Sequence, residues 1–77
     1  MINIQELIGI ISEYSILNME LDESTALLEL GVIDSFGILM ILADIKSKFD
    51  IEIEITDNIN EIFRNPRSIL REIDKLR

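Results

Sequence analysis

DSFGILMILADIKSKF, residues 34–49, is the stretch on which the fold turns. At 100° per residue, Ile38, Ile41, Leu42, Ile45 and Phe49 fall in one narrow stripe, which predicts a helix with a core face. Asp34 is a good N-cap, and Lys46 and Lys48 lie near the C-terminal end, where cations suit the helix dipole. Phe36, Met40 and Ala43 fall opposite the core stripe, with Leu39 on the flank between them. A helix apolar on both faces calls for cover on both. Either the long preceding segment folds over the second face, or that face is an exposed docking surface.

Near the N-terminus, Asn3 and Glu6 have the spacing of a capping box. Ile4, Leu7, Ile8 and Ile11 follow at helical spacing, giving a first helix over about residues 3–14. From Ser15 to Ile33 the periodicity fails, and the stretch reads as a long loop with one helical turn near Ser24 to Leu28. Its apolar pairs, Leu27-Leu28 and Val32-Ile33, would pin it to the core. A connection of that length in a small domain is often functional. IEIEI, residues 51–55, alternates like a strand. No other segment offers it a pairing partner, so it is expected to be an extended connector with Ile51, Ile53 and Ile55 facing inward. A short third helix follows, with Asn58 and Glu61 spaced as another box and with Ile59, Ile62 and Phe63 apolar. Asn65-Pro66 begins a fourth, since Pro is favoured at the first helical position, and Ile69, Leu70, Ile73 and Leu76 make its stripe. The expected architecture is all-α: a four-helix bundle of three longer helices and one short one, with a long loop between the first two.

Seventy-seven residues make one domain, residues 1–77. Of these, 17 are Ile and 10 are Leu, enough apolar surface for a chain this small to fold by itself. There is no Cys and no His. Disulfides, Cys/His zinc sites and the Ser-His-Asp and Cys-His nucleophilic arrangements are therefore unavailable. LDES and ITDN contain acids but lack the ligand ladder of a calcium loop, so no metal site is expected. Glu52 and Glu54 lie on one side of an extended segment with no second polar cluster, which is a solvated face rather than a catalytic pair. An enzyme is not expected. No apolar run approaches the ~20 residues that span a bilayer, and MINIQELIGI lacks the basic region of a signal peptide; a cytoplasmic monomer is expected.

Charge is unevenly distributed. Fifteen acids against seven bases give a net charge of −8. Residues 1–45 contain no Lys or Arg but carry Glu6, Glu13, Glu20, Asp22, Glu23, Glu29, Asp34 and Asp44. Nucleic-acid binding needs the opposite sign, and the acidic part suits a basic protein partner.

Ser35 falls at the first helical position after Asp34. Free backbone N–H groups and the positive end of the helix dipole favour a phosphate there. A first-turn serine is also simply compatible with a helix start. The segment GVIDSFG, residues 31–37, resembles the phosphopantetheine attachment motif of the acyl and peptidyl carrier protein family, usually centred on Asp-Ser-Leu. The order of helix, long loop, Asp-Ser at a helix start, short helix and final helix matches the family over essentially the whole chain. IFRNPRSILREI, residues 62–73, is similar to the closing segment of peptidyl carrier domains. Phe36 stands where the family usually has Leu or Met.

The resemblance implies that the Ser35 hydroxyl receives 4′-phosphopantetheine from coenzyme A through a phosphopantetheinyl transferase. The arm's thiol would hold an acyl or aminoacyl group as a thioester, so a Cys-free chain can serve thioester chemistry. Asp34 would cap the helix and serve transferase recognition. Phe36, Leu39, Met40 and Ala43 would form the docking surface for the transferase, a loading enzyme and downstream acceptors. A charge at Met40 is expected to impair partners and spare the fold. From Phe36 to Phe49 only Asp44 is acidic, unlike the acid-rich helix of fatty-acid-synthesis carriers; GVIDSFG is more similar to D-alanyl carriers and stand-alone peptidyl carriers. Fatty acid, polyketide, nonribosomal peptide and cell-wall pathways all use such proteins. A different class stays open: a small acidic helical adaptor with an unmodified Ser35 that binds a basic partner.

Overall fold

The computed structural model describes residues 2–76. Asn3 opens α1 (Ile4–Glu13): its side chain accepts the Glu6 N–H at 2.8 Å, and the Glu6 carboxylate accepts the Asn3 N–H at 3.1 Å. That reciprocal pair satisfies two donors that a helix start leaves open. Leu7, Ile10 and Ile11 are buried. Ile4 and Ile8, assigned to the core stripe from spacing, are only half-buried, whereas Ile2 and Ile10 lie in the core. The helix face is thus rotated slightly from the one the periodicity suggested.

The longest helix, α2 (Ser35–Phe49), is capped by Asp34 and ends at Asp50. Asp50 adopts the left-handed conformation at φ 56°, which Asp tolerates better than most residues. Its N–H donates to the Lys46 carbonyl at 3.0 Å, and its carboxylate accepts from Lys46 Nζ at 3.1 Å. Ile38, Ile41 and Ile45 are buried, and Leu42 and Phe49 pack against the core from its edge. After the extended segment come α3 (Ile59–Ile62) and α4 (Pro66–Lys75). Asn65 caps α4, accepting the Ser68 N–H at 2.8 Å, while Ser68 Oγ accepts the Asn65 N–H at 3.1 Å. The helix α1 packs on α4 and α2, and α3 packs on α4. Among the described residues there is no strand, and the all-α four-helix architecture with one short helix holds.

Three local expectations change. Asn58 and Glu61 do not form a capping box: Asn58 sits at φ −88°, ψ 1°, outside the extended region that an N-cap needs, and its N–H donates to Thr56 Oγ1 at 3.2 Å. Ile53 is buried and Ile51 half-buried, but Ile55 faces out at 60 % exposure. With no neighbouring strand to hold the pleat, the alternation ends where the chain leaves the core surface. Leu76, placed in the stripe of α4, is its C-cap and is exposed.

The long connection carries no helix. It holds a turn in which Thr25 N–H donates to the Asp22 carbonyl at 3.3 Å and, slightly later than the expected helical turn, a second in which Leu30 N–H donates to the Ala26 carbonyl at 3.0 Å and Gly31 N–H to that of Leu28 at 3.2 Å. Gly31 takes φ 73°, a conformation that glycine adopts without strain. Leu27, Val32 and Ile33 are buried and Leu28 half-buried, so the apolar pairs do tie the loop to the core. Ile16 N–H donates to the Val32 carbonyl at 2.7 Å and draws the two ends of the loop together.

Candidate functional site

The start of α2 is assembled from short-range chemistry. Ile33 is buried, Asp34 turns the chain in an extended conformation at φ −117°, and the Asp34 carboxylate accepts the Gly37 N–H at 3.0 Å. The Asp34 carbonyl takes the Ile38 N–H at 3.0 Å. Gly37 is buried against the chain that leads into the helix: a Cβ there would stand 3.1 Å from Ile33 Cβ. Of the first-turn donors, the N–H groups of Ser35 and Phe36 are left without a hydrogen-bond partner among the described residues. Ser35 itself is exposed, with its hydroxyl likewise unengaged among those residues. An exposed hydroxyl thus stands beside two open amides at the positive end of a fifteen-residue helix. That setting suits a phosphate ester on the serine oxygen.

Phe36, Leu39, Met40 and Ala43 share one side of α2, spaced at i, i+3, i+4 and i+7. Phe36 is 68 % and Leu39 51 % exposed, and Ala43 is exposed. Met40 is half-buried, so the helix face is less open there than the wheel indicated. The loop does not cover Phe36 or Leu39. Leu39 and Ala43 also edge an open groove of about 590 Å³, whose other wall is Ile53 and Ile55 of the extended segment.

Asp44, the one acid between Phe36 and Phe49, is engaged. It accepts the Tyr14 hydroxyl at 2.8 Å and lies 4.0 Å from Lys48 Nζ. That hydrogen bond, with partial burial and the charges of Asp44 and Glu13 behind it, holds the Tyr14 phenol above its ordinary pKa of 10.0. Nothing in the local pattern signalled the contact, because Tyr14 and Asp44 are 30 residues apart. On the same helix Lys46 is occupied by Asp50 and Glu52, and its hydrogen bond to Asp50 pushes its pKa up. The α2 surface therefore offers apolar side chains with paired charges behind them. No cluster of three or more potential metal ligands occurs among the described residues. No described helix is long and apolar enough to cross a membrane.

Comparison with known proteins bears on this site. The chain is 28 % identical over 51 residues to the D-alanyl carrier protein of Bacillus cereus (strain B4264), and to the same degree to that of Bacillus anthracis (strain CDC 684 / NRRL 3495). Each match covers 66 % of this chain and 65 % of the relative, so it spans just under two thirds of the relatives' length. No family model matches the chain. No solved structure matches it. The chain is thus similar, at a distance, to curated D-alanyl carrier proteins, and its all-helical order is consistent with a small helical-bundle carrier.

Proposed function

We propose that this chain is a single-domain carrier protein, spanning residues 1–77, that bears 4′-phosphopantetheine on Ser35 and passes a thioester-linked acyl or aminoacyl group between enzymes. The observation that carries the reading is the exposed Ser35 hydroxyl at the first position of α2, directly after the capping Asp34. The residues present fit the group. The serine oxygen is accessible, and the open N–H groups of Ser35 and Phe36 meet the negative charge of a phosphodiester.

When bound, the arm supplies the thiol that the chain's own composition lacks. Each remaining task falls to the chain. On esterification the Ser35 oxygen bonds to the pantetheine-side phosphorus of coenzyme A as the pyrophosphate linkage breaks, adenosine 3′,5′-bisphosphate leaves with release of the hydroxyl proton, and the serine then anchors the arm. Asp34 fixes the helix start, so that the serine projects from a rigid element, and presents a carboxylate to the transferase. Phe36, Leu39 and Ala43, with the half-buried Met40, give partners a small apolar contact, which suits transient association. Partners in this reading are a phosphopantetheinyl transferase, a loading enzyme and an acceptor enzyme, met by a monomeric carrier in the cytoplasm that catalyses nothing itself. The name of its relatives points to D-alanyl as one cargo.

Intact mass tests the reading, after incubation with coenzyme A and a broad-specificity phosphopantetheinyl transferase, with Ser35→Ala in parallel. The expected result is one pantetheinyl addition to the wild-type chain and none to the variant. Folded wild-type protein that stays unmodified with several transferases would overturn the carrier reading and leave an acidic adaptor in its place.

A further inference from the structure

The long connection carries an apolar surface of its own. Ile16, Leu17 and Met19 fall in a run of five exposed residues, 16–20, and Ile16 is 62 % exposed. None of the three belongs to the core. Leu30, two residues before Val32, is exposed as well.

This exposure is built into the backbone. Ile16 N–H donates to the Val32 carbonyl at 2.7 Å, and Ser15 Oγ donates to the Leu17 carbonyl at 2.6 Å. Just before them, the Tyr14 hydroxyl is held by Asp44. Residues 14–17 are thus tied at three points while Ile16 and Leu17 stay in solvent. The bond to Val32 also sets Ile16 beside the stretch that holds Leu30, three residues before Ser35.

Charge decides what can cover this surface. Glu13 precedes it, Glu20 ends it and Glu29 adjoins Leu30. All three are exposed, and none has a cationic partner among the described residues. On α2 the case is different, because Lys46 and Lys48 pair with the acids around them. A second copy of the chain would bring the same carboxylates and a net charge of −8, and would be repelled. Anionic lipid and nucleic acid carry the same sign. A basic protein surface is complementary to the open carboxylates and can also bury the apolar side chains.

We propose that Ile16, Leu17, Met19 and Leu30, edged by Glu13, Glu20 and Glu29, form a docking surface for a basic protein partner whose contact has an apolar centre and a cationic rim. It is separate in sequence from the apolar face of α2, and it holds whether or not Ser35 is modified.

Amide chemical shifts of the unmodified full chain test it, read by NMR during titration with a short helical peptide whose leucine face is edged by lysines. A second peptide carries glutamates in place of the lysines. The lysine peptide should shift residues 16–20, 29 and 30 most. It should bind more weakly as sodium chloride rises from about 0.01 M to about 0.15 M. Glu20→Gln/Glu29→Gln should weaken it by up to about fivefold for each carboxylate removed, and Ile16→Ser by about tenfold. Free variants whose spectra match wild type outside residues 13–33 have kept the fold, and Leu17→Ser replaces Ile16→Ser if that variant has not. The surface is overturned if the lysine peptide shifts only Phe36 to Ala43, if it shifts every exposed acid alike, if the glutamate peptide binds equally well, or if neither binds by about 1 mM. Shifts at residues 16–20 on raising the protein concentration alone would assign the surface to a second copy, and shifts on adding phosphatidylcholine vesicles would assign it to lipid. Either result overturns the proposal.

Discussion

The Asp34 carboxylate accepts the Gly37 N–H at 3.0 Å, and this bond by itself accounts for an Asp at that position. Recognition by a transferase would be a second use of the same group, and the two are separable. Asp34→Ala removes the cap and should cost about 1 kcal/mol in urea unfolding. Asp34→Asn keeps an acceptor for Gly37 N–H and should stay within a few tenths of a kcal/mol of wild type. If the charge matters to the transferase, Asp34→Asn will be modified more slowly at unchanged stability; equal rates would confine Asp34 to capping. Such roles were legible in the sequence because a cap is local. Asn3, Asp34 and Asn65 each find their partner three residues on, and each behaves as its spacing implies. Asn58 has the same spacing and fails. Its backbone is not extended, and α3 is only four residues long, too short for a cap to organise it.

The elements are joined by contacts that no local pattern encodes. Tyr14, the C-cap of α1, reaches Asp44 in the middle of α2 at 2.8 Å and fixes one helix against the other. Because the hydrogen bond favours the neutral phenol, the Tyr14 pKa lies above 10.0. The folded state holds the proton more tightly, so the contribution is complete below pH 10 and is lost as pH rises through the raised value. The chain has a single tyrosine, so tyrosinate absorbance reports this group alone. On protein whose helical signal persists at high pH, the midpoint should lie above 10.0 and fall toward it in Asp44→Asn. A wild-type midpoint at or below 10.0 would show that the α1–α2 hydrogen bond does not persist in solution. The same distance in sequence explains what else stayed hidden. Leu27 to Arg64 and Glu23 to Arg67 are long-range pairings, whereas helix faces repeat every few residues and can be read along the chain. The candidate site was legible for the same reason: Asp34, Ser35 and the Phe36–Ala43 stripe lie on one helix. Only the depth of Met40, set by what packs beside it, was not.

At the scale of the whole molecule the excess of acids becomes a force on the fold. The protein carries a net charge of −8 within extents of 31 × 26 × 19 Å. At 0.01 M ionic strength the Debye length is about 30 Å, as long as the molecule, so every carboxylate repels every other. At 0.15 M it falls to about 8 Å, and only near neighbours interact. The ion pairs present, such as Lys46–Asp50 and Arg64–Glu61, are short and largely exposed, so screening costs them little. Repulsion across the molecule is long-range and is what salt removes. The melting temperature should therefore rise between 0.01 M and 0.15 M sodium chloride. The slope should depend on net charge. Glu20 and Glu29 are exposed acids of the long loop, and Glu20→Gln/Glu29→Gln brings the net charge from −8 to −6. The double variant should melt higher than wild type at 0.01 M and gain less from added salt. A melting temperature that falls with salt would mean that short-range pairs outweigh the repulsion. The acidic excess would then be no burden on the fold, and its retention would need no partner to explain it.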